Sequence, residues 1–99
     1  MADLLSELEN VQTKVIGALQ ATEQDKQASP VLVAVVREFA AKAGKATGAP
    51  GREAVIELEQ AGDSAKAAAE ADTGAAARTR ELVLDAHLAI CMLKATGST

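Results

Sequence analysis

Residues 70–76, Glu70-Ala71-Asp72-Thr73-Gly74-Ala75-Ala76, decide how this chain folds. From Arg52 to Ala95 almost every residue favours helix, and Asp72-Thr73-Gly74 is the one credible interruption. Asp72 or Thr73 would serve as an N-cap for a final helix, since a short polar side chain accepts from the free N–H groups of a helix start. A turn there gives four helices of similar length joined by short loops, the pattern of an up-down bundle. Without it, two shorter helices precede one long C-terminal helix of about 65 Å, at 1.5 Å per residue. The apolar end of that helix, Leu82 to Leu93, would project beyond the others and need a second chain.

Side-chain volumes favour the turn. After Val55, Ile56 and Leu58 the large apolar residues stop, and from Ala61 to Arg80 there are only Ala, Gly and polar side chains. Folded back, these small ends face the bulky run Val31–Val36. Leu4, Leu5, Phe39, Val55, Leu58, Ile90 and Leu93 then share a layer at the other end, and large against small reaches native density. Helix-end charges favour the opposite reading. Glu70 and Asp72 would sit at a C-terminus, and Arg78 and Arg80 near an N-terminus, each opposing the macrodipole by roughly a few tenths of a kcal/mol. A continuous helix would cost only about 1 kcal/mol for Gly74. The reading adopted is an all-α, up-down four-helix bundle in one domain, residues 1–99. The alternative is two shorter helices plus one long C-terminal helix, in a dimer.

Upstream, Leu4, Leu8, Val11, Val15, Ala18 and Thr22 recur in steps of four and three, the stripe of a helix with one buried face. Asp3 or Ser6 is placed to cap its start. Ser29-Pro30 reads as an N-cap followed by proline at the first helical position. Val31–Val36 is β-branched enough for a strand, but no other segment offers a partner strand, and the pattern continues as Arg37-Glu38-Phe39-Ala40-Ala41-Lys42. A helix apolar on all sides at one end must be covered on more than one side. Gly44, Lys45 and Gly48 are stop signals, and Thr47-Gly48-Ala49-Pro50-Gly51 is the clearest loop. No repeat with a solenoid period is evident. Thr96-Gly97-Ser98-Thr99 reads as a frayed end.

Composition narrows the function classes. Alanine, the best helix former, makes up roughly a quarter of the chain. A net charge of −4, with no Trp or Tyr and a single Phe39, leaves neither a basic patch nor stacking platforms, so nucleic acid is not expected as a partner. Apolar runs fall far below the ~20 residues of a membrane span. The acidic start Met1-Ala2-Asp3-Leu4-Leu5-Ser6-Glu7 is wrong for a signal peptide. The single Cys91 allows no intrachain disulfide. A cytoplasmic location is expected.

Chemistry-bearing residues are few. His87 is the only histidine, and Cys91 lies one turn away on the same helix face. As two ligands from one helix they fall short of a zinc site, which takes four ligands or three plus water. Glu57, Glu59 or Glu81 would have to complete it, so neither a metal nor another cofactor is expected. Gly44-Lys45-Ala46-Thr47 lacks the hydroxyl residue directly after the lysine that a phosphate loop requires. Arg80 and Lys94 lie seven residues either side of His87, on roughly its face. In outline this resembles histidine phosphotransfer domains, which are helical bundles of similar size. That resemblance implies a phosphoacceptor role for His87, although His87-Leu88-Ala89-Ile90 lacks the lysine and glycine that follow the histidine in those domains.

No catalytic constellation emerges, and the chain reads as a non-enzymatic interaction or assembly module. The expected partner is a second copy, as a homodimer, or another helical protein bound in an apolar groove. The aliphatic excess points to an interface formed by Val31, Leu32, Val35, Val36, Phe39, Leu84, Leu88 and Met92. The Ala-rich segment Ala61–Ala77 is a second surface able to seat bulky side chains.

Overall fold

The chain turns at residues 72–76. A computed structural model, described for residues 3–97, contains α1 (Leu4–Gln24), α2 (Pro30–Gly48), α3 (Arg52–Ala71) and α4 (Ala77–Gly97). Each helix packs on its two neighbours in a ring, α1 on α2, α2 on α3, α3 on α4 and α4 on α1, which is the up-down four-helix bundle. The radius of gyration, 12.7 Å, is that of a single compact body of this length. The long-helix alternative is excluded. Met1-Ala2 and Ser98-Thr99, parts of the signal-peptide and frayed-end readings, lie outside the described residues, whereas Thr96 is helical.

Local signals behave as expected at two helix starts. Asp3 caps α1, its Oδ1 accepting from Ser6 N at 2.7 Å, and Ser29 caps α2, its Oγ accepting from Leu32 N at 3.1 Å ahead of Pro30. The run Val31–Val36 is helical. It is not covered on all sides: Leu32 and Val36 are buried, Val33 and Val35 are half-buried, and Val31 and Ala34 face outward. The loop after α2 is shorter than expected, because Thr47 and Gly48 remain in the helix.

Two of the four helix-end charges that argued against the turn, Arg80 and Asp72, serve neighbouring helix ends, while Glu70 pairs with Lys66 inside α3. Arg80, in the first turn of α4, donates from Nε to the carbonyl of Ala69 at 2.9 Å and from Nη2 to that of Glu70 at 3.4 Å, capping the C-terminus of α3. Asp72 accepts from the backbone N–H groups of Gly74 and Ala75, both at 3.2 Å. Neither Asp72 nor Thr73 is the N-cap of α4, which begins at Ala77. The free N–H of Ala76 is instead taken at 2.9 Å by Asp25, from the loop between α1 and α2. Asp72 reciprocates, its Oδ2 accepting from Ser29 N at 2.7 Å.

That reciprocity reveals an internal repeat. Asp25 and Asp72 are 47 residues apart, as are Ser29 and Ala76. The buried positions of α1, Leu8, Val11, Val15, Ala18 and Thr22, map by the same shift of 47 onto Val55, Leu58, Gly62, Ala65 and Ala69, the buried positions of α3. Those of α2, Leu32, Val36, Phe39, Ala43 and Ala46, map onto Thr79, Val83, Ala86, Ile90 and Leu93, which are buried in α4. The molecule is two helical hairpins in one frame. The repeat does not stack as a solenoid does; the two hairpins close on each other.

The core alternates large and small, as the volume argument required, except that Leu5, expected in the layer of large residues, falls off the inward stripe of α1 and is exposed. Gly62 leaves room for Phe39: a Cβ at Gly62 would lie 3.1 Å from Phe39 Cζ and 3.3 Å from Ile90 Cγ2. In the other half, Val15 stands where Gly62 does and Ala86 where Phe39 does, so the bulk has changed sides. Ala65 and Ala69 are buried in the same interior, whereas Ala76 and Ala77, expected with them on an interaction surface, lie exposed around the start of α4.

Candidate functional site

All of the unusual chemistry lies on the outer face between α3 and α4. Glu59 and Asp63 are one turn apart on α3, and His87 and Cys91 one turn apart on α4. The antiparallel packing of α3 on α4 brings the two pairs together. His87 Nε2 lies 2.8 Å from Asp63 Oδ1, and Cys91 Sγ lies 3.4 Å from the same nitrogen and 3.9 Å from Nδ1. One donor atom from each of Asp63, His87 and Cys91 falls within 4.8 Å of the other two. Lys94 closes the edge, its Nζ 2.7 Å from Glu59 Oε1, and that carboxylate holds the Lys94 ammonium above the usual lysine range. The His87 side chain is 14% exposed and that of Asp63 63%, so the cluster opens to solvent on the Asp63 side.

The arrangement is not built for nucleophilic catalysis. Burial raises the Cys91 thiol above its ordinary value, and the nearby Glu59 and Asp63 carboxylates add to the effect. An activated thiol needs the opposite surroundings. A relay also needs the acid and the thiol on opposite ring nitrogens. An ionised carboxylate only accepts, so Nε2 carries the proton in the Asp63 pair. That nitrogen, the one nearer the sulfur, cannot then take a proton from the thiol, and Nδ1, the nitrogen left free to do so, stands farther off at 3.9 Å.

His87 is poorly placed for phosphoryl acceptance. Its Nε2 is engaged by a carboxylate that repels an incoming phosphodonor, and Lys94 is tied to Glu59. Arg80 is occupied at the far end of the helix with the carbonyls of α3.

The expected interface residues separate. Leu32, Val36 and Phe39 are completely buried in the chain's own core, because they fall on the inward stripe of α2, and no partner can reach them. Val35 and Leu84 are half-buried. Val31 (66% exposed), Leu88 (56%) and Met92 (59%) face solvent. Val31 stands on α2, diagonally across the ring from α4, and does not join Leu88 and Met92 in one patch.

Leu88 and Met92 instead flank a groove of about 490 Å³ between α1 and α4. Val11, Ala89 and Leu93 form its floor, and Glu7, Asn10, Lys14, Asp85 and Thr96 its rim. Among the described residues, Glu7, Lys14 and Asp85 have no ion-pair partner within the chain.

Sequence reasoning paired His87 with Cys91 but missed Asp63. The signal was present: Glu59 and Asp63 share the i,i+4 spacing of His87 and Cys91, and two such pairs on consecutive antiparallel helices can face one another. The groove between α1 and α4 was missed because it joins segments far apart in the chain. Among the described residues no helix is long and apolar enough to cross a membrane. Compared with protein-family models, curated proteins and solved structures, the chain matches none.

Proposed function

We propose that this protein is a non-enzymatic assembly module that pairs with a second copy of itself through the groove between α1 and α4. The observation that carries this reading is the exposure of Leu88 and Met92 beside an open apolar floor, on a helix whose other large apolar side chains are buried or half-buried. Exposed apolar side chains that cluster at a groove favour association. The rim favours a second copy over an unlike helix. It carries both signs, Lys14 on α1 and Asp85 on α4, each without an ion-pair partner among the described residues. A twofold arrangement sets Lys14 of each copy against an acidic side chain of the other, as a self-complementary interface requires. A reducing, cytoplasmic setting suits the lone thiol.

Light scattering coupled to size exclusion, from low to high micromolar protein, tests this. The expected result is a dimer at the upper end that becomes a monomer in Leu88→Glu, with the helical circular dichroism unchanged. A monomer throughout the range removes the proposal. A dimer that survives Leu88→Glu moves the interface elsewhere.

A further inference from the structure

We infer that Asp63, His87 and Cys91 form a binding site for a single divalent transition-metal ion of the zinc type. The site draws on the chain's only histidine and only cysteine. Three donor types that suit such an ion, a carboxylate oxygen, an imidazole nitrogen and a sulfur, converge within 4.8 Å. Around a tetrahedral ion with bonds of about 2.0–2.3 Å, such atoms stand roughly 3.3–3.8 Å apart. The present 3.4 Å between Cys91 Sγ and His87 Nε2 lies in that range. The 2.8 Å between Nε2 and Asp63 Oδ1 is a hydrogen bond that opens slightly when the ion replaces its proton.

The frame does not require these residues. At the corresponding positions of the first hairpin, 47 residues earlier, Asp63, His87 and Cys91 are replaced by Ile16, Ala40 and Gly44. Helix packing is satisfied there with no titratable side chain, so the cluster is an addition to the fold. Lys94 holds Glu59 back at 2.7 Å, which leaves three protein ligands and a solvent-facing fourth position for water. Binding releases the thiol proton to solvent. The imidazole proton passes from Nε2 to Nδ1 through solvent, so that Nε2 presents its lone pair. The dication then meets one thiolate and one carboxylate, and the charges cancel.

Titrating the full-length, reduced protein with Co²⁺ alone, and with Zn²⁺ alone by calorimetry, tests the site. The expected result is one ion per chain, with a thiolate-to-cobalt charge-transfer band and the visible bands of a four-coordinate centre. Cys91→Ser abolishes the charge-transfer band, and Asp63→Asn weakens Zn²⁺ binding roughly tenfold or more. Asp63 is exposed and Cys91→Ser nearly isosteric, so both variants keep the wild-type helical signal. The Leu88→Glu chain binds the ion as wild type does, which separates this site from self-assembly. No thiolate band at one equivalent, a stoichiometry of half an ion per chain, or Zn²⁺ affinity unchanged in Cys91→Ser and Asp63→Asn would each overturn the inference.

Discussion

The two hairpins share one frame and differ in what they place on it. The first, α1 with α2, holds the bulky interior residues Leu32, Val36 and Phe39. The second, α3 with α4, sets Gly62 against the Phe39 ring, buries the small Ala65 and Ala69 in the same core, and carries Asp63, His87 and Cys91 on its outer face. The difference extends to the two grooves between hairpins. Between α2 and α3, Lys42 Nζ lies 2.9 Å and Lys45 Nζ 3.5 Å from Glu57 Oε1, and the ion pairs cover the seam. At the corresponding positions between α4 and α1 stand Ala89, Met92 and Asn10, and the seam is open. Hairpins with the same inward register thus yield a closed seam and an exposed apolar one, and the lesson is that core packing leaves outer-face residues free to vary.

The largest test of this comparison is in the interior. Phe39→Ala removes the ring that Gly62 accommodates and should cost about 3–5 kcal/mol in chemical denaturation followed by circular dichroism. Gly62→Val adds bulk 3.1 Å from that ring and should cost about 1–3 kcal/mol. The double variant places valine and alanine where the other half has Val15 and Ala86. It should be more stable than Phe39→Ala alone. If the two losses simply add, the halves are not interchangeable in volume.

The loops come next. The backbone N–H of Ala76 first, then that of Gln27, holds the Asp25 carboxyl below the usual carboxylate range, and the Ser29 N–H does the same for Asp72. Each native carboxylate therefore binds fewer protons than its unfolded counterpart. The stability this contributes is present at neutral pH and lost as pH falls through and below about 4. A double Asp25→Asn, Asp72→Asn variant should unfold at a lower temperature at pH 7 and show a shallower loss of stability on acidification. An acid limb as steep as wild type would show that the cross-ties do not carry it.

These tests also bear on how much the sequence made visible. The helical class followed from periodicity and alanine content, and the turn at Asp72-Thr73-Gly74 from volume. Each is a property of local sequence or of summed side-chain size. The helix-end charges misled because a charge near one helix end serves another when two loops lie side by side: Arg80 belongs electrostatically to the end of α3, and Asp72 to the start of α2. The repeat was obscured because few side chains persist across it beyond Asp25/Asp72, Ala28/Ala75 and Val36/Val83. What persists is the inward register, which bulk exchange between Phe39 and Ala86 conceals. Of the candidate metal site, His87 and Cys91 were visible as an i,i+4 pair. Asp63 required knowing which face of α3 meets α4.

The smallest effect on stability accompanies the sharpest test of the two grooves. Asn10→Glu with Met92→Lys recreates, between α1 and α4, the pairing that Glu57 makes with Lys45. Both positions lie at the surface, so unfolding free energy should shift by only about 0.5 kcal/mol. Self-association should nevertheless vanish, because the apolar flank becomes a solvated ion pair that a second copy must desolvate. Raising the salt concentration screens that pair but does not restore Met92, so the variant should stay monomeric in light scattering at any ionic strength. A variant that still dimerises would mean that Leu88 and the groove floor suffice, and that Met92 does not distinguish the open seam from the closed one.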